Sequence, residues 1–143
     1  MSFWDTSALV SLILFQHDAE RLAVIVEGDD DPLVLWWGTG LEAVSAVVRL
    51  VRAGEIDDGR AERALQQIGN AVGSASEVPP TEAVRAEAHR AIRVHALTAA
   101  DALQLASALV WTDHTPSGVG FVCLDRRLCE AARREGFDIL PKR

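Results

Sequence analysis

The sequence predicts an α/β domain built on a central, mainly parallel β-sheet. Short apolar runs alternate with longer stretches whose apolar residues recur at helical spacing. The run over 33–37, Leu-Val-Leu-Trp-Trp, is continuously apolar, as expected of a strand covered on both faces. A length of 143 residues suits one such domain and leaves little room for a second. Residues 1–143 are therefore read as a single domain.

Residues 2–4 form a short first strand, followed by helices over 6–15 and 18–27. The turn Gly28-Asp29-Asp30-Asp31-Pro32 leads into the strand over 33–37, and its three aspartates read as a solvated loop. Leu41, Val44, Val47, Val48 and Val51 repeat at helical spacing over 41–52, with Gly54 as the stop. Helices over 57–72 and 81–94 are separated by a Gly/Ser stretch and Pro79-Pro80. A helix over 101–111, a strand over 119–124, a helix over 126–135 and a short strand over 137–140 complete the order. Strands alternating with helices imply parallel pairing through right-handed crossovers. In such sheets reactive groups collect beyond the carboxyl ends of the strands.

Composition narrows the function. The apolar stretch over 8–15 is interrupted by Ser11 and falls short of the roughly 20 residues of a spanning helix. No basic segment precedes it, so no signal peptide is expected and a cytoplasmic protein is. Cys123 and Cys129 belong to no CxxC or Cys/His cluster, which argues against structural zinc and for two reduced, buried thiols. His17, His89, His95 and His114 share no ligand spacing and read as surface or cap residues. The net charge of −7 disfavours nucleic acid as a partner, because phosphate repels it. That objection weakens if several acids share a metal site, since each divalent ion restores two positive charges locally. Of the 14 basic side chains all but Lys142 are arginine, whose planar fork suits phosphate and carboxylate alike.

Four acids stand at four helix starts. Asp5 follows the first strand, Glu42 lies in the first turn after Trp36-Trp37, Asp101 opens the Ala-rich helix, and Asp125 follows Phe121-Val122-Cys123-Leu124. Each has a structural explanation of its own. Asp is a favoured N-cap, acids suit the first helical turn, and Thr39-Gly40-Leu41-Glu42 has the form of a capping box. Capping does not require the four to converge, however. If they do, carboxylates ~5 Å apart repel by roughly 3 kcal/mol per pair at an effective dielectric near 20. An uncompensated carboxylate cluster calls for a hard cation with oxygen ligands, Mg2+ or Mn2+. Such an ion serves phosphodiester hydrolysis by activated water. Thr6 and Ser7 are candidates for holding a water beside the ion, or equally for capping the first helix.

At these residues the sequence resembles the PIN-domain family, and within it the VapC-type toxins of toxin–antitoxin pairs. Trp4-Asp5-Thr6-Ser7-Ala8-Leu9 looks like the first-acid motif. Leu41-Glu42-Ala43-Val44-Ser45-Ala46 looks like the second-acid helix. The most specific segment is His95-Ala96-Leu97-Thr98-Ala99-Ala100-Asp101-Ala102-Leu103-Gln104-Leu105-Ala106, and Phe121 to Leu128 resembles the final acid and its helix. The resemblance covers nearly the whole chain. It implies a PIN-like three-layer α/β/α sandwich and Mg2+- or Mn2+-dependent endoribonuclease activity on RNA, with Asp5, Glu42, Asp101 and Asp125 as catalytic metal ligands. It also implies a homodimer and inhibition by a cognate VapB-type antitoxin lying across the acids. Where many relatives carry a further acid or Asn after the fourth acid, this chain has Arg126 and Arg127, which bears on a second metal. Arg126, Arg127, Arg49 and Arg52 are candidate RNA-phosphate contacts, with solvated helix surface as the plain alternative. Trp36 or Trp37 is a candidate antitoxin or dimer contact, with strand core as its alternative.

Other classes fit less well. A signalling receiver needs a lysine beside its phosphorylated aspartate, and Lys142 lies in the tail. A haloacid-dehalogenase-like phosphatase wants Asp-x-Asp at the first strand, where position 7 is Ser. A catalytically silent PIN scaffold acting as a binding module is the remaining alternative.

Overall fold

Strand alternation sorts the core into two faces. In β1 (Ser2–Trp4), Phe3 points to one side of the sheet and Trp4 to the other. The same alternation runs through β2 (Val34–Trp36) and β4 (Gly120–Val122): Val34, Trp36 and Phe121 join Phe3, while Leu35 and Val122 join Trp4. The computed structural model describes residues 1–143.

The Trp4 face is covered by α1 (Thr6–Ile13) and α2 (Ala19–Glu27). A satellite cluster lies where α1 meets α3 (Thr39–Arg52) and α4 (Asp58–Ser74). The Phe3 face is covered by α5 (Glu82–His95), α6 (Ala99–Trp111) and α7 (Arg126–Glu135). Phe3 stacks on Phe121 at 5.3 Å, and Phe121 meets Phe137 at 5.4 Å. Two further strands, β3 (Ser76–Val78) and β5 (Asp138–Leu140), close the edges. The order is β3-β2-β1-β4-β5 and every pairing is parallel. The result is a three-layer α/β/α sandwich, as expected, with a sheet wholly rather than mainly parallel. No single helix is long and apolar enough to cross a membrane.

Several boundaries differ from the sequence reading. The first helix ends at Ile13, and Phe15 turns outward with a positive φ of 52°. β3 falls in the stretch read as a Gly/Ser linker. Trp36 is 6 % exposed and belongs to the core, whereas Trp37 is 59 % exposed. The strand-core alternative thus holds for Trp36 and not for its neighbour. His95 is also not a surface residue: its side chain is 6 % exposed and its Nε2 meets the Glu135 carboxylate at 3.3 Å. Cys123 is buried and Cys129 half-buried, and both are free thiols.

Candidate functional site

Each of the four acids sits where a strand or loop passes the chain to a helix. The Asp5 amide donates to the Val122 carbonyl at 2.9 Å, which locks the residue to the end of β4. Its carboxylate caps α1, accepting from the Ser7 amide at 3.1 Å and the Ser7 hydroxyl at 2.5 Å. The Cys123 thiol adds a weaker contact at 3.6 Å. Ser7 in turn accepts from the Leu124 amide at 3.0 Å, so one hydroxyl joins Asp5 to the segment that delivers Asp125.

Glu42 does not form the capping box. The cap of α3 is Gly38, where an added Cβ would lie 2.5 Å from the Trp36 indole nitrogen; the close turn out of β2 therefore needs glycine. Thr39 lies inside the helix, and Glu42 reaches across to α1, accepting from the Thr6 hydroxyl at 3.1 Å. Gln104, on α6, donates from Nε2 to Thr6 at 2.8 Å and to Thr39 at 3.0 Å, and approaches Glu42 Oε1 at 3.4 Å. Asp101 is half-buried in the first turn of α6, where Thr98 caps the helix by accepting from the Asp101 amide at 3.3 Å. Asp125 is exposed and caps α7, accepting from the Leu128 amide at 2.9 Å.

All four acids line one cleft of about 680 Å³, together with Thr6, Ser7, Ser45 and Arg49. None of them forms a salt bridge with a cation of the chain. Arg49 stands on the wall without an ion pair. Arg126 and Arg127 lie outside the cleft, on cavities flanking α7. No three of the carboxylates close around a single point. Magnesium is commonly held by one or two carboxylates and several waters. The all-oxygen donor set, none of it tied up in an ion pair, fits such an ion.

The electrostatics record the crowding. Burial pushes the Asp5 carboxyl above its ordinary range; the Ser7 hydrogen bonds oppose this, and the Asp101 charge adds to it. Burial also raises Glu42, against its bond from Thr6 and with help from Asp5 and Asp101. Burial first, then the charge of Asp125, raises Asp101, while the Thr98 hydroxyl pulls the other way. The bond it donates to Cys129, followed by burial, pushes the Cys123 thiol up, so a neutral thiol faces Asp5.

A raised carboxyl in the folded state binds its proton more tightly there than when unfolded. Its contribution to stability is full below the unfolded value and is lost as pH rises through the folded one. Asp5→Asn removes that loss while keeping a capping oxygen. In EDTA, the thermal midpoint of the variant relative to wild type is expected to climb as pH rises above about 4, the ordinary aspartate value. A difference independent of pH would show that Asp5 is unperturbed.

No protein-family model matches the sequence. None of the curated proteins matches it either. Among solved structures, PAE2754 from Pyrobaculum aerophilum matches with a TM-score of 0.63 at 22 % identity, over 97 % of this chain and 88 % of that one. FitAcB from Neisseria gonorrhoeae matches with a TM-score of 0.64 at 20 % identity, over 97 % and 96 % of the two chains. The chain has a PIN-like fold. At such identities the likeness carries the fold alone.

The PIN-like topology draws α1, α3, α6 and α7 around the ends of β1 and β4, and so joins residues that no sequence spacing links. Gln104 and Thr39 were missed in the sequence reading. The available signal was a lone amide in the apolar run of α6, three residues beyond Asp101 and hence on its face. Gln104 is fully buried, so Gln104→Leu strips a donor from Thr6, Thr39 and Glu42. It is expected to lower unfolding free energy by about 1–3 kcal/mol in urea titrations; no change would make the amide dispensable.

Proposed function

We propose that the chain is a Mg2+- or Mn2+-dependent endoribonuclease of the toxin–antitoxin kind, cutting RNA phosphodiester bonds and restrained by a cognate VapB-type antitoxin. The observation that carries this reading is the cleft in which Asp5, Glu42, Asp101 and Asp125 gather with none of them in an ion pair, not even with Arg49, the one cation of its lining. These four residues would hold the ion. When bound, a divalent ion supplies the Lewis acidity for attack of water on a phosphodiester and relieves charge on the phosphoryl oxygens.

The chain's own groups orient the acids. Ser7 fixes Asp5, Thr6 and Gln104 fix Glu42, and backbone amides at two helix starts fix Asp5 and Asp125. Arg49, on the cleft wall, is placed to meet a substrate phosphate. The same acidic surface suits a basic side chain of an antitoxin, through charge-assisted pairs. Exposed Trp37 supports an antitoxin or dimer contact beside it.

The test is incubation of purified protein with single-stranded RNA in Mg2+, Mn2+ or EDTA, with mapping of the new 5′ ends. Cleavage in either metal and none in EDTA is expected. Cleavage that persists in EDTA would overturn the metal-dependent reading. The silent-scaffold alternative draws on the carboxylates' failure to close around one point. Magnesium-induced stabilisation with no cleavage of any RNA would favour it.

A further inference from the structure

The charge of this chain is unevenly distributed. Residues 126–143 carry six basic and three acidic side chains, whereas the rest carries eight basic and eighteen acidic. That local excess of cations lies beside the acid cleft. A cavity of about 720 Å³ opens between the start of α7, β5 and the last residues; its lining carries four cations, Arg126, Arg133, Lys142 and Arg143, against two acids, Glu130 and Asp138. A smaller cavity joins the two regions: it shares Ser7 and Gln16 with the acid cleft, and Leu124 and Arg143 with the basic cavity. The three thus follow one another from the acid cleft towards β5 through shared lining residues.

The cations of the basic cavity are not equivalent. Arg133 is paired with Glu130 at 2.7 Å and Arg143 with Asp18 at 3.2 Å. Arg126 and Lys142 have no carboxylate partner, although the protein has an excess of acids. Unpaired cations at the end of an otherwise acidic channel suit a chain of phosphates. Nucleic acid crossing the acids gains attraction only at this end and at Arg49.

We infer that single-stranded RNA bound at the acid cleft leaves it across Ser7 and Leu124 and seats a neighbouring phosphate in the basic cavity, on Arg126 and Lys142. The inference rests on the nuclease reading and adds the direction of the strand and a second phosphate seat. Arg126 lies one residue beyond Asp125, at the start of α7.

The test is fluorescence anisotropy of a fluorescein-labelled single-stranded RNA of mixed sequence. Calcium replaces magnesium, and potassium chloride is varied. Removing that one phosphate seat from a single strand is expected to lower the log–log salt slope by about 0.7 and affinity roughly fourfold at physiological salt. Arg126→Ala/Lys142→Ala should show both losses and keep the wild-type thermal response to magnesium. The charge-matched control Arg85→Ala/Arg93→Ala, on α5, should show neither. An unchanged slope in the first variant, or an equal fall in the control, would overturn the path and leave the nuclease reading standing. Wild type that binds no RNA at any salt would remove both.

Discussion

Asp5→Asn is expected to lower metal-dependent RNA cleavage by at least about a hundredfold without unfolding the chain. The substitution exchanges a charge for a dipole and keeps an oxygen for the Ser7 amide, so the cap of α1 survives. What is lost is a buried negative charge on the cleft. If Asp5 helps hold the ion, several kcal/mol of charge stabilisation go with it, and each 1.36 kcal/mol is tenfold in rate. Initial rates on a labelled RNA in Mg2+ and Mn2+, beside a circular dichroism melt, check both halves. Persistent cleavage by the variant would rule Asp5 out as a ligand.

The second large effect is thermodynamic and needs no substrate. If magnesium binds only the folded cleft, as proposed, then at about 100 times its dissociation constant it is expected to add about 2.7 kcal/mol of stability. For a chain of this size each 1 kcal/mol moves the midpoint by about 2–4 °C. Asp101→Asn is expected to abolish that rise. In EDTA the same variant should be no less stable than wild type, because it removes the cost of burying the charge and then the repulsion from Asp125. After screening by water the gain is below about 1 kcal/mol. Here the two explanations of Asp101 separate. A helix-end acid valued for its charge loses stability in EDTA when neutralised and leaves the magnesium response intact. A metal ligand does the reverse.

Much of the site was legible because its residues occupy chemically marked positions. Asp5 follows β1 directly and Asp125 follows β4 after two residues, and strand ends in a parallel sheet share one edge. The strands β1, β2 and β4 announced themselves by apolar runs. β3 did not: Ser76 and Glu77 are exposed on an edge strand and only Val78 is buried, so no apolar period marks it. The start of α3 was misplaced by two residues because Thr39 has the chemistry of a cap, yet its hydroxyl faces the Gln104 amide. The partners of Glu42 were illegible for a related reason. Thr6 and Gln104 lie 36 and 62 residues away in sequence and meet it only through the crossovers. His95 reads from sequence as a surface or cap residue because nothing near it foretells Glu135, whose carboxylate its Nε2 meets at 3.3 Å.

Direct titration with Mn2+, followed by electron paramagnetic resonance of the free ion, tests the central claim that the four acids hold a divalent metal. Wild-type protein should remove Mn2+ from the free pool saturably and release it to excess Mg2+, and Asp5→Asn/Asp101→Asn should leave the free signal unchanged. Binding of equal strength and stoichiometry in the double variant would contradict the account, and so would a wild type that takes up no metal.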